Sequence, residues 1–406
     1  MSIPGQTMGM GVFTNYFMAA FDLTRQELSI AYFIGTTASA ALLPMAGRFY
    51  DHVGARLVIV GASVLLGVFV SFLALIDRLS LAIAGPLYAS GVALLLVTVG
   101  YFGVRFAGQG VLTSASRNLL LLWFVRRRGL VSGIRSVFVS FGFALAPLLI
   151  AYLITAFDWR NALWIMAGAV GIGFSLLALV FARNSPVECG LRADGDALDA
   201  DAAPTQVESR TITDARRNPV FWIYSSGLAI HALFGTAMTF HIVDIFALAD
   251  RPMEEAFRYF LPSAIVSTST NFIASYLADS MRLKPLLIVM LCAFIAGGVG
   301  LVNLEHDWGY WLLVAGFGTG GGLWGVLSNL AFIRFFGPLH LGEISGLNAS
   351  VTVTASAIGP LLFSLSKDTF GTYAAAQYSC IIALLILLVI ATLTHQHELT
   401  QSKDSE

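Results

Sequence analysis

The stretch LVIVGASVLLGVFVSFLALI, Leu57–Ile76, contains no charged residue. An α-helix rises about 1.5 Å per residue, so a run of this length crosses the roughly 30 Å hydrocarbon core of a bilayer. Comparable runs recur from end to end, for example at Ile381–Leu393. Over 406 residues, 57% are hydrophobic and 12% charged, with a mean hydropathy of +0.78. A soluble domain carries about 25% charged residues, so most of this surface must meet something other than water. The chain reads as a polytopic, all-α membrane protein whose first partner is the lipid bilayer.

Helices are predicted at roughly 2–21, 28–47, 57–76, 91–124, 130–156, 160–182, 218–247, 254–278, 285–304, 308–336, 343–366 and 373–394. The first is short for a span, because Pro4, Gly5 and Gln6 interrupt it. Thr24-Arg-Gln-Glu27 predicts a capping box at the start of the second, in which each side chain satisfies the other's backbone amide. Basic loops stay in the cytoplasm. Arg48, Arg56, Arg126–Arg128, Arg135, Arg183, Arg192, Arg210, Arg216, Arg217, Arg282, Lys284, Arg334 and Lys403 fall on one side. Only Arg25, Arg78, Arg160, Arg251, Arg258 and Lys367 fall on the other, so both termini are expected inside, as in a bacterial inner membrane. The three cysteines are far apart, with no disulfide or metal-ligand spacing. The first residues lack the basic flank and cleavage site of a signal peptide.

Residues 183–217, acidic in the middle and basic at both ends, read as a cytoplasmic linker that cannot order itself. It separates a six-helix bundle over 1–182 from another over 218–396, followed by a tail at 397–406. The halves repeat: Gly133, Pro147 and Phe157 match Gly346, Pro360 and Phe370, each pair 213 residues apart. GRFYDHVGAR (47–56) matches SYLADSMRLK (275–284), with Asp279 for Asp51 and Lys284 for Arg56, at an offset of 228. The second copy lacks the glycines, so its brace is expected to be weaker. Duplicated six-helix units that rock about a midplane site are a recurrent transporter plan.

The G-x-x-x-D-x-x-G-x-R pattern of Gly47, Asp51, Gly54 and Arg56 resembles the signature loop of the major facilitator superfamily, and RFAGQG (105–110) resembles its second motif. PGQT (4–7), WFVRRRG (123–129), NSPVECGL (184–191) and FH (240–241) are similar to its bacterial monocarboxylate-transporter-like branch. The resemblance implies twelve helices in two bundles, alternating access, and a signature loop that gates it, with Asp51 at a helix N-terminus or on a cytoplasmic arginine. It also implies a first helix beginning upstream of Met1, because in relatives the PGQT-like stretch lies partway along that helix. The branch carries an Asp/Arg pair within the eighth helix. Here Arg258 stands only at that helix's start, and Ser267–Asn271 fill its middle.

An ionisable residue inside a span costs about 2.5–3.5 kcal/mol on insertion scales and marks a functional candidate. Arg105, Gln109, Leu112 and Ser116 are spaced to share one helical face and so to line a polar cavity. Arg117 is placed to snorkel or to line a gate. His231 and His241 could relay a proton, with Asp244 one turn on to set the tautomer of His241. Asn348 and Thr352 are weaker cavity candidates. No Asp or Glu lies deep in a span, and a desolvated arginine suits a carboxylate, so an anionic substrate is expected, with a proton or counter-anion as coupling partner. The six glycines of GFGTGGGLWG (316–325) lack the Lys-Ser/Thr of a phosphate loop and read as close packing. No catalytic, metal, cofactor or nucleic-acid motif is legible, and a monomer is expected. Two alternatives stay open: efflux of amphipathic compounds, and a non-transporting sensor.

Overall fold

A computed structural model describes residues 2–195, 208–396, 398 and 399. Among them the chain makes twelve helical passes. Ten of the helices are long and apolar enough to cross a membrane.

The first pass, α1, is assembled from Ile3–Gly5, Thr7–Gly11 and Thr14–Phe21. It is followed by α2 (Arg25–Val53), α3 (Ala55–Leu73), α4 (Ile76–Trp123), α5 (Arg128–Phe157) and α6 (Trp159–Phe181). The second set is α7 (Pro219–Leu248), α8 (Met253–Arg258 and Phe260–Ala278), α9 (Leu283–Val302), α10 (Asp307–Phe336), α11 (Leu341–Phe370) and α12 (Ala374–Leu393).

Local rules account for most boundaries. The predicted capping box opens α2: Thr24 N–H donates to Glu27 Oε2 at 2.8 Å, and Glu27 N–H to Thr24 Oγ1 at 3.2 Å. The fourth pass begins at Ile76, fifteen residues before the predicted 91, as two helical segments that meet at a kink, where Gly85 is non-helical at φ +65° ahead of Pro86. The linker is more ordered at its ends than expected. Thr211 and Asp214 form a second capping box on Ile212–Arg217, and Arg210 N–H donates to Phe336 O at 2.8 Å. Residues 196–207 at its centre, Lys403 and most of the 397–406 tail lie outside the described residues.

Two compact units result. One comprises Met1–Trp123, Val139–Ala202 and Gly342–Ser350; the other comprises Phe124–Phe138, Ala203–Leu341 and Val351–Glu406. The first turns of α5 and α11 thus each belong to the unit built mainly from the other six-helix set. In the first unit, Phe13, Phe17 and Phe21 stack at 5.7 and 5.2 Å along α1, and Trp159 meets Phe17 edge-on. In the second, the helix-10 glycines do what their density suggested. A Cβ on Gly316 would lie 2.3 Å from Gly297 N of α9, and one on Gly322 would lie 2.5 Å from Ser267 O of α8. Asn271 fills the crossing and donates from Nδ2 to Gly322 O at 2.9 Å. The hydroxyl-rich middle of α8 therefore packs against α10, as small polar residues between membrane helices do.

Overpacking a close crossing costs typically 1–3 kcal/mol. Gly316→Leu should therefore lower the thermal midpoint of the purified protein, whereas Gly61→Leu, which has no atom within 4 Å of a built Cβ, should leave it unchanged. Equal midpoints would contradict the packing role of the α10 glycines.

Candidate functional site

The turn RFAGQG does not continue α4 as an ordinary helix. Arg105–Leu112 is wound as a π-helix, with α-helix before and after it. The 3.6-residue phase that set Arg105, Gln109, Leu112 and Ser116 on one face does not run through a wider turn. That four-residue stripe is therefore corrected: Leu112 is buried in the core and Ser116 is only half-buried.

What the wide turn accommodates is the PGQT segment. A Cβ on Gly5 would lie 2.4 Å from Val104 O, and one on Gly108 would lie 2.7 Å from Gly5 Cα. Two glycines are what allow the chains to approach so closely. Gln6 Nε2 donates to Thr113 Oγ1 at 3.2 Å, and Thr113 donates on to Gly108 O at 3.0 Å. Arg105 is 5% exposed; its Nη1 donates to Gly5 O at 3.4 Å, and its guanidinium carbon stands 5.2 Å from the ring centroid of Tyr32. Tyr32 in turn meets Tyr101 edge-on at 5.2 Å. Gln109 Oε1 is buried here without a hydrogen-bond partner. The result is a buried cation bounded by an aromatic face and a carbonyl. In the sequence Gln6 reads as a helix interruption and a family marker, and Tyr32 carries no signal; no local pattern announces a tyrosine that meets an arginine on another helix.

The remaining candidates are dispersed. Arg117 is half-buried on the α4 segment after the π-turn. Asn348 is 5% exposed, and its Oδ1, like Thr352 Oγ1, has no hydrogen-bond partner. The boundary between units passes between these two, after Ser350. His231 stacks on Phe294 at 4.3 Å, with Trp324 5.5 Å away, in the second unit. His241 lies about three turns further along α7, within reach of Pro360 O, Ser364 and Tyr373. Asp244 reaches it through the Tyr373 hydroxyl, an intermediary the sequence did not suggest.

The signature loop and its twin perform the same task twice. Asp51 accepts from Gly342 and Glu343 N–H at 2.8 and 2.9 Å, capping α11. Asp279 accepts from Gly129 and Leu130 N–H at 2.6 and 3.0 Å, capping α5. The capped pairs are 213 residues apart, the offset of the repeat. The bases correspond as well. Arg56 donates from Nε to Leu179 O at 2.9 Å, and Lys284 donates to Thr392 O at 2.8 Å, again 213 residues on. Each base thus sits on carbonyls ending α6 or α12, where a cation complements the helix dipole.

The lack of glycines in the second loop suggests an asymmetric brace, yet each aspartate accepts from two backbone amides. Gly129 supplies on α5 the space that Gly47 supplies on α2: a Cβ on Gly129 would lie 2.0 Å from Ser275 O, and one on Gly47 would lie 2.0 Å from Gly342 O. Asn184, from NSPVECGL, completes the first loop. Its Oδ1 accepts from Arg56 N–H at 2.9 Å and lies 2.7 Å from a Cβ built on Gly54, which adopts φ +91°. A side chain at 54 would be strained by that backbone and would strike Asn184. Glu188 holds Asn184 in place, and those hydrogen bonds keep its carboxyl below the usual carboxylate range. A depressed carboxyl contributes stability above its ordinary pKa that is lost as pH falls through the lowered value, so this loop should loosen only in acid.

A carboxylate cap contributes about 0.5–2 kcal/mol. Asp51→Ala and Asp279→Ala should lower the thermal midpoint by comparable amounts. A drop confined to Asp51→Ala would restore the asymmetric brace.

Residues 1–360 match the family model described as Major Facilitator Superfamily. A curated relative, "Probable sulfoacetate transporter SauU" of Cupriavidus necator, is 27% identical over 165 residues, 40% of this chain and 34% of the relative. The chain thus matches about a third of that relative's length. Among solved structures, the E. coli fucose:proton symporter FucP aligns with a TM-score of 0.68 at 12% identity, covering 98% of this chain and 96% of that one. The proton:xylose symporter XylE aligns at 0.65 with 14% identity, covering 97% and 92%. The human organic anion transporter MFSD10 aligns at 0.56 with 15% identity, covering 95% and 89%. At these identities the likeness shows the fold.

Proposed function

The chain belongs to the major facilitator superfamily, and from that premise we propose that it carries a small organic anion, a carboxylate or sulfonate, across the membrane by alternating access. It is an integral membrane protein and a transporter rather than an enzyme. The finer reading is supported above all by Arg105, a guanidinium 5% exposed within a membrane-spanning helix. A planar fork of N–H donors in a dry site matches the oxygens of a carboxylate or sulfonate, which it can engage in pairs. The sulfoacetate named for the curated relative and the organic anions named for the human neighbour are of this chemical kind. The motifs PGQT, WFVRRRG, NSPVECGL and FH keep a monocarboxylate within the proposed class.

In the proposed cycle, residues 1–182 rock against 218–396 about a site that includes Arg105 and Gln109. The Asp51 and Asp279 caps close one end and release to open it. The excess of basic residues at that end supports placing it, with both termini, in the cytoplasm of a bacterial inner membrane. The protein works as a monomer.

Reconstituted into proteoliposomes, the protein should take up radiolabelled small carboxylates or sulfonates and ignore neutral sugars of similar size. Arg105→Ala should abolish uptake. Arg105→Lys, which keeps the charge but loses the fork, should raise KM by tenfold or more. Unchanged kinetics in both variants, or uptake of sugars alone, would contradict the proposal.

A further inference from the structure

At the opposite end of the second unit from Asp279 and Lys284, five polar side chains meet in a chain. His241 Nε2 is 3.1 Å from Pro360 O and 3.4 Å from Ser364 Oγ. His241 Nδ1 is 3.3 Å from the Tyr373 hydroxyl oxygen, and that hydroxyl donates to Asp244 Oδ2 at 2.7 Å. Lys367 Nζ lies 3.6 Å from the same Oδ2 and 5.6 Å from the Tyr373 ring centroid. Asp368 is the other charge acting on Tyr373. These groups come from α7, α11 and the residue that opens α12, so the chain ties three elements of one unit together.

Counting protons along the chain decides what it can bind. Pro360 O can only accept, so Nε2 carries the hydrogen that faces it. A neutral imidazole then presents a bare lone pair at Nδ1. Tyr373 has one proton, already committed to Asp244 over the shorter distance. Burial, followed by that hydrogen bond, pushes the Tyr373 hydroxyl well above the ordinary tyrosine range, so it keeps the proton. Two lone pairs therefore oppose each other between Nδ1 and Tyr373. One added proton resolves the conflict: Nδ1–H donates to Tyr373, Tyr373 O–H donates to Asp244, and the imidazolium is balanced through the phenol by a carboxylate. Lys367 stays on the far side of Asp244 and offsets part of that carboxylate's charge.

We propose that His241, Tyr373 and Asp244 form a proton-binding site whose occupant is a single proton on His241 Nδ1, the coupling ion of the transport cycle. Loading the proton draws α7 towards the start of α12, and release frees them. Only the coupling role rests on the anion-transport reading; proton binding stands apart from it. Nδ1 is the atom of the chain whose lone pair faces a hydroxyl that already donates elsewhere, so a proton there completes the hydrogen bonds.

Infrared difference spectra of the purified full chain between pH 5 and 8 read the site without any substrate. The protein should show imidazole bands accompanied by a shift of a tyrosine ring–oxygen stretch. His241→Gln should remove the tyrosine component and only one histidine's share of the imidazole bands, since six other histidines remain, and Tyr373→Phe should remove the tyrosine component alone, with thermal melts at pH 7.5 confirming that both variants fold. A tyrosine component that persists in His241→Gln or in Tyr373→Phe would overturn the site whatever the substrate proves to be. In proteoliposomes, an inward proton gradient should accelerate anion uptake at least fivefold. In His241→Gln that acceleration should vanish while exchange of anion between the two sides continues. Retained acceleration in the variant would overturn the coupling role. Absence of uptake in the unaltered protein would instead overturn the anion reading and leave the spectra to decide the site.

Discussion

Backbone amides at the start of a helix have no partner within it, and four such amides decide how this protein is assembled. Those of Gly342 and Glu343 are satisfied by Asp51, and those of Gly129 and Leu130 by Asp279. Asp51 stands in the last turn of α2 and Asp279 just past the end of α8, and each caps a helix of the other six-helix set. The consequence is visible in how the chain divides, since the first turns of α5 and α11 are grouped with the opposite set. Glycine packing, the base-to-carbonyl contacts of Arg56 and Lys284, and the Asn184 support all serve to hold these two loops in place.

The same economy of polar groups governs the interior of the first unit. An arginine in a membrane helix must be surrounded by oxygens or rings, and Arg105 finds a carbonyl of the PGQT segment and the face of Tyr32. That segment can reach it because Gly5 and Gly108 allow backbone to touch backbone across a π-turn. Two sequence motifs that are a hundred residues apart are therefore one structural feature. On the proposed reading this feature is also where the anion is recognised, with the guanidinium supplying the charge.

The helices, the repeat and the Thr24–Glu27 capping box were legible in the sequence because each depends on spacing along the chain. The equivalence of Asp51 with Asp279 was legible too, but not the strength of the second brace. The missing glycine lies on the partner helix, at Gly129, rather than in the loop where the pattern placed it. The stripe through Arg105 and Ser116 failed because a π-turn changes the period, and nothing in RFAGQG distinguishes such a turn from an ordinary one. The link from His241 to Asp244 was half legible. Their spacing on α7 was right, while the tyrosine that joins them enters from another helix.

The most direct test of the account is the sign of the charge that Arg105 recognises. Binding of small carboxylates and sulfonates to the purified protein can be compared with binding of their neutral amides, which share size and shape. The account predicts saturable binding of the anions, none of the amides, and loss of anion binding in Arg105→Ala with the fold intact. Equal binding of acid and amide, or anion binding that survives Arg105→Ala, would contradict it.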